Sequence, residues 1–232
     1  MTEPLLLIPG HMCDARLFRH QIRSLSASAT LHLAPPLREN RINATAASIL
    51  QRAPPRFAVA GLSFGGIVAM EMLRLEPRRI TGLALIDTNH LPESAEAAEA
   101  RCGRLRRVRQ GYLEEVMRDE MKPAYLAEGP RKAEILELVM DMALGLGAEI
   151  FEQQSLALLG RHDQTETLRR ADTPCLVMCG RDDRLCSVER HEEIAALVPG
   201  AELEVIPEAG HLSVLEQPGA ANQALNSWLR RQ

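Results

Sequence analysis

A hydroxyl, an imidazole and a carboxylate, each placed just beyond a short apolar run, are the parts needed for nucleophilic attack on a carbonyl. The hydroxyl is Ser63, in Gly61-Leu62-Ser63-Phe64-Gly65-Gly66, directly after the apolar run at residues 57–60. Gly-x-Ser-x-Gly carries chemical meaning when a strand precedes it and a helix follows, because the sharp turn between them exposes the hydroxyl at the end of a sheet. Glycines at the flanking positions remove the side chains that would collide with the crowded strand and helix. The N–H groups at the start of the helix favour the negative charge that develops when a carbonyl is attacked. Without that context the same residues would be a glycine-rich turn with Ser63 as a helix cap.

A serine hydroxyl is a weak nucleophile at neutral pH and needs a base within hydrogen-bond reach. His211, in Glu208-Ala209-Gly210-His211-Leu212-Ser213, follows the last apolar run, at residues 203–207. It can therefore fold over to a serine at the same sheet edge. His20, His32, His90, His162 and His191 lack such a position and read as surface or structural histidines. The base in turn needs an acid that fixes its tautomer. Cys179-Gly180-Arg181-Asp182-Asp183-Arg184 ends the penultimate run, and the order serine, aspartate, histidine is that of one fold among several serine hydrolases. Electrostatics does not separate Asp182 from Asp183 at this level. Donors for an oxyanion are expected from the backbone N–H of Phe64 and from the loop Pro9-Gly10-His11-Met12-Cys13-Asp14, with His11 first and Met12 next.

Six apolar runs must hold these loops: residues 5–9, 30–34, 57–60, 83–87, 175–179 and 203–207. Each is nearly continuous, as expected of strands buried on both faces of a parallel sheet. Helical patterns alternate with them. Asp14 can cap one, Asn43 or Thr45 can start the next, another spans 64–75 up to Pro77, Ser187 caps a fourth, and the last covers about 219–229. This alternation predicts an α/β doubly wound parallel sheet. Residues 90–173 carry only helical patterns, at 96–121, 131–146 and 149–159. More than eighty residues without a strand exceeds any ordinary crossover, so this segment is expected to be a helical insertion over the sheet edge.

Composition narrows the class. The 232 residues are 46% apolar and 25% charged with a net charge of −4, which gives no reason to expect nucleic acid as a partner. No apolar run approaches the length that spans a membrane, and Met1-Thr2-Glu3-Pro4 ahead of a four-residue apolar stretch does not resemble a secretory leader. A cytoplasmic location is expected. The five cysteines read as free thiols, and no histidine–cysteine spacing suggests a metal; neither metal nor organic cofactor is expected. Five arginines fall within residues 101–109 among glutamates at helical spacing, which predicts a solvated helix face.

Together, residues 5–14, 61–66, 180–183 and Gly210-His211-Leu212-Ser213-Val214-Leu215-Glu216-Gln217-Pro218 resemble the α/β-hydrolase superfamily, particularly the small lidded esterases and enol-lactonases of bacteria. The resemblance covers nearly the whole chain. In the family the acid is the third residue after glycine, which implies Asp183 over Asp182, and the oxyanion donor follows the first-loop glycine, which implies His11. Two departures stand out: Pro9-Gly10 replaces the usual His-Gly, and no hairpin precedes the strand at residue 5. A sheet of about six parallel strands follows, with a core of residues 1–89 and 174–232 and a helical lid of 90–173. The implied function is hydrolysis of an ester, thioester or lactone of a small to medium molecule through Ser63, His211 and Asp183. An acyltransferase, a C–C bond hydrolase or a non-catalytic ligand receptor would use the same frame. Met12, Met117 and Met142 are expected to line an apolar pocket, in a monomer or homodimer.

Overall fold

The computed structural model describes residues 4–231. Its centre is a single six-stranded sheet, all parallel, in the order β2-β1-β3-β4-β5-β6. The strands are β1 (Leu5–Ile8), β2 (Leu31–Leu33), β3 (Phe57–Leu62), β4 (Ile80–Ile86), β5 (Cys175–Gly180) and β6 (Glu202–Ile206). The helices are α1 (Arg19–Leu25), α2 (Ile42–Leu50), α3 (Phe64–Leu75), α4 (Ala95–Arg109), α5 (Leu113–Glu115), α6 (Lys132–Leu159), α7 (Thr165–Arg169), α8 (Val188–Leu197), α9 (Ser213–Glu216) and α10 (Pro218–Leu229).

Successive strand side chains point to opposite faces, and the core divides accordingly. Leu5, Leu7, Ala58, Ala60, Leu62, Ala84, Ile86, Leu176 and Met178 join Phe18, Leu25, Leu225 and Trp228 of the α1/α10 side. Leu6, Ile8, Val59, Leu83, Leu85 and Val177 join Ile49, Val68, Met72 and Ile194 of the α2/α3/α8 side. The four inner strands are buried on both faces as expected, apart from half-buried Thr81. The edge strands differ: β2 is half-buried to exposed, and β6 alternates with Glu202 and Glu204 outward. An edge strand has one neighbour and a solvated flank, so a continuous apolar run is not required there.

Helix boundaries follow local chemistry. Asp14 accepts a hydrogen bond from the Arg16 N–H at 2.9 Å, and a 3-10 turn at Ala15–Phe18 leads into α1. Neither Asn43 nor Thr45 starts α2; Arg41 takes the cap position in extended backbone, and both residues lie inside the first turns. The expected helix 96–121 is broken at Gly111 (φ 99°). Beyond it, α5 continues as π-helix over Val116–Met121 and a 3-10 turn over Lys122–Ala124. Gly147 (φ 80°) breaks α6 where the sequence pattern separates 131–146 from 149–159. After α6 the chain returns to the sheet: Leu168 and Ala171, in and beyond α7, pack with Val177 and Ile194.

Candidate active site

In a parallel sheet every strand ends at the same edge, and the site occupies that edge where the order reverses between β1 and β3. Ile8 pairs with Gly61 across this boundary, which puts the β1 loop beside the β3 turn. The turn itself is strained. Ser63 has φ 54°, ψ −113°, a region that L side chains seldom occupy. Its N–H donates to Ile86 O at 2.8 Å, and Thr88 Oγ1 donates to Ser63 O at 2.8 Å. A Cβ on Gly65 would lie 2.0 Å from Ile8 O, so only glycine permits this approach. Among the described residues, all four non-glycine residues with positive φ (Met12, Ser63, Asp87 and Glu208) follow strands on this edge.

The structure brings Ser63, His211 and Asp183 into one hydrogen-bonded line. Asp183 Oδ2 lies 2.8 Å from His211 Nδ1 and Ser63 Oγ 2.9 Å from His211 Nε2. A carboxylate only accepts, so Nδ1 carries the proton and Nε2 is free to accept from the serine hydroxyl. Asp183 Oδ1 also accepts from the Leu185 and Cys186 N–H groups at 2.8 and 3.0 Å. Burial works to raise the Asp183 pKa, but His211 and these donors outweigh it and hold the carboxyl below its ordinary range. Burial likewise works against a charged His211, yet the Asp183 carboxylate prevails and lifts its pKa above 6.5. Asp182 is exposed and points no side-chain hydrogen bond at the histidine.

Two supports of this line come from loops distant in sequence. Asp87, fully buried after β4, accepts from Gly180 N, Ser213 N and Ser213 Oγ at 2.9, 3.1 and 2.7 Å, and so ties together three loops. Burial and the neighbouring Asp183 carboxylate push it up to about 8. His191, read from sequence as a surface or structural residue, is buried and structural. Its Nδ1 donates to Ser187 O at 2.9 Å and its Nε2 accepts from the Thr88 N–H at 2.9 Å. Burial lowers its pKa and keeps this tautomer neutral, and Thr88 is the residue that grips Ser63 O.

The His211 loop is fastened to the helical segment as well. His211 N–H donates to Tyr125 O at 2.7 Å. Glu216 accepts from Gly210 N and Leu212 N through Oε1 and from Ala127 N through Oε2, at 3.0, 3.1 and 2.8 Å. Glu216→Gln keeps the first two acceptors and turns the third into a donor facing a donor. The expected cost is about 1–3 kcal/mol, measurable as a lower urea midpoint at an unchanged slope; an unchanged midpoint would show that the bridge adds nothing.

The candidate oxyanion donors separate cleanly. Met12 N–H is taken by Gln154 Oε1 at 2.9 Å, whereas the N–H groups of His11 and Phe64 have no backbone partner among the described residues. The expected methionine lining lies elsewhere. A cavity of about 490 Å³ is bounded by Ser63, His211, His11, Ile67, Met121 and Tyr125 among others. Met12, Met117 and Met142 are fully buried outside it, packed with Leu17, Val139 and Leu212. Apolar helix faces bury against each other first, and the cavity takes what is left, including polar groups from α4. Asp183, Cys186 and His211 place ligand-type atoms within 4.8 Å of one another. They do not fit a metal, because both His211 nitrogens are engaged and burial pushes the Cys186 thiol well above its ordinary pKa.

A doubly wound parallel sheet with a strained serine turn and a serine–histidine–aspartate line at the strand ends defines a class of protein. The chain belongs to the alpha/beta hydrolase family, whose pattern matches residues 5–224. Among solved structures it is similar to a thermophilic esterase from Thermogutta terrifontis, at 29% identity and a TM-score of 0.89 over 99% of this chain and 90% of that one. Curated relatives include the dihydrolipoyllysine-residue acetyltransferase component of an acetoin cleaving system from Pseudomonas putida, 28% identical over 180 residues. Another is 3-oxoadipate enol-lactonase 2 from Acinetobacter baylyi, 27% identical over 181 residues. These matches take in 75% and 76% of this chain but 45% and 65% of the relatives, so the chain spans less than two thirds of either. No helix of the described residues is long and apolar enough to cross a membrane.

Proposed function

We propose that the chain hydrolyses a carboxylic ester, thioester or lactone of a small to medium molecule through an acyl-enzyme on Ser63. The observation that carries this is the 2.9 Å contact between Ser63 Oγ and His211 Nε2 with Asp183 behind it. Ser63 Oγ attacks the carbonyl carbon as His211 takes its proton. His11 and Phe64 N–H groups receive the oxyanion, and His211 then protonates the departing alcohol, thiol or lactone oxygen. Water, deprotonated by His211, attacks the acyl-enzyme and releases the acid. Neither metal nor organic cofactor enters these steps. The helical segment within 90–173 acts as the lid, supported by Met121, Tyr125 and Leu158 lining the same cavity as Ser63. Transfer of the acyl group to another acceptor is a second reading, favoured by the likeness to an acetyltransferase component; product analysis with and without added alcohol or thiol separates the two.

The base must be neutral to act. His211 is held above 6.5, so kcat/KM for a neutral activated ester should rise with pH through a midpoint above 6.5. Asp183 is the cause that raises it, so Asp183→Asn should move that midpoint downward in whatever activity remains. A wild-type acid limb centred below 6.5, or no pH dependence between pH 5 and 8, would contradict His211 as the base.

A further inference from the structure

Four guanidinium groups line the cavity that contains Ser63: Arg101 and Arg104 of α4, Arg161 just beyond α6, and Arg190 of α8, which pairs with Glu193. The arginine run of α4 is thus two-faced. Arg107 and Arg109 lie outside the lining and pair with Glu120 and Glu152, while Arg101 and Arg104, three residues apart, share the inward face. Of the two carboxylates in the lining, Glu120 is taken by Arg107, which leaves Glu93 for Arg101, Arg104 and Arg161. Glu93, nearly buried, accepts from Arg101 Nη2 at 3.0 Å and pairs with Arg161. Arg104 has no hydrogen bond or ion pair among the described residues, although it is half-buried. Arg101 Nε is buried without a partner, and so is Nδ1 of His11, a cavity-lining imidazole that is itself 6% exposed. Burial and the flanking Arg101, Lys122 and Arg104 depress the His11 pKa, so it adds a dipole rather than a charge. Burial first, and Arg101 second, also depress Arg104.

Excess positive charge and unpaired donors at a partly enclosed site are costly unless an anion completes them. We propose that the ester or lactone processed at Ser63 carries a carboxylate, and that Arg104, with Arg101 beside it, binds that carboxylate away from the reacting carbonyl. A guanidinium fork matches a planar carboxylate with two parallel hydrogen bonds, and the binding fixes which carbonyl of the substrate meets Ser63. The proposal rests on the hydrolase reading for its chemistry but not for the anion site itself.

The test compares the 4-nitrophenyl half-ester of glutaric acid with 4-nitrophenyl pentanoate, which has a similar chain and no charge, and measures glutarate binding by calorimetry. Wild type should favour the half-ester in kcat/KM by about tenfold or more. Arg104→Gln should cut half-ester kcat/KM and glutarate affinity by about 10–100-fold, while pentanoate turnover stays within about threefold. Arg104→Lys should retain part of the affinity. Equal losses on both esters, undiminished glutarate binding in Arg104→Gln, or inorganic phosphate binding more tightly than glutarate would each overturn the carboxylate site. The two readings fail separately. Hydrolysis of pentanoate with no response to glutarate removes the anion site and leaves the hydrolase; Arg104-dependent glutarate binding without turnover of either ester does the reverse.

Discussion

Ser63→Ala is expected to lower kcat for any activated ester by about 10³-fold or more, and to leave the melting temperature near that of the wild type. Among the described residues the hydroxyl makes no hydrogen bond other than the one to His211, so its removal deletes the nucleophile and little else. The turn is held by backbone contacts, Ser63 N to Ile86 O and Thr88 Oγ1 to Ser63 O, and these persist in alanine. A residual rate above that in water should remain, because the oxyanion donors and the cavity are untouched. Near-native activity in this variant would remove Ser63 from the mechanism.

The second large effect is a contrast between adjacent aspartates. Asp183→Asn is expected to cost on the order of 10⁴-fold in kcat, because an amide facing His211 Nδ1 favours the wrong tautomer. Asp182→Asn should stay within about twofold, since its side chain is exposed and makes no bond to His211. The measurement is kcat for both variants on one neutral ester, alongside thermal melts to exclude unfolding. Equal small losses would shift attention to Asp87, the other buried carboxylate of the site.

How much of this was legible in the sequence follows from what each feature depends on. The six strands, their parallel arrangement and the serine turn depend on local signals (apolar runs, flanking glycines and loop position), and those signals are strong here. The edge strands read as more buried than they are because an apolar run does not say how many neighbours a strand has. The break at Gly111 was missed because surrounding residues keep helical periodicity. The arginines of α4 were read as one solvated face, and Arg101 and Arg104 instead face inward: charge at helical spacing tells which residues share a face, not what that face meets. Met117 and Met142 illustrate the same limit from the apolar side. Asp87 and His191 take their roles from loops that meet only in three dimensions.

The central claim is that Ser63 is the group that becomes acylated. Brief treatment with a fluorophosphonate, followed by peptide mass spectrometry, reads this directly. A single adduct on Ser63, absent in Ser63→Ala and formed much more slowly when His211 is replaced by alanine, is the expected result. An unlabelled protein that still turns over esters, or an adduct on another residue with Ser63 unmodified, would contradict it.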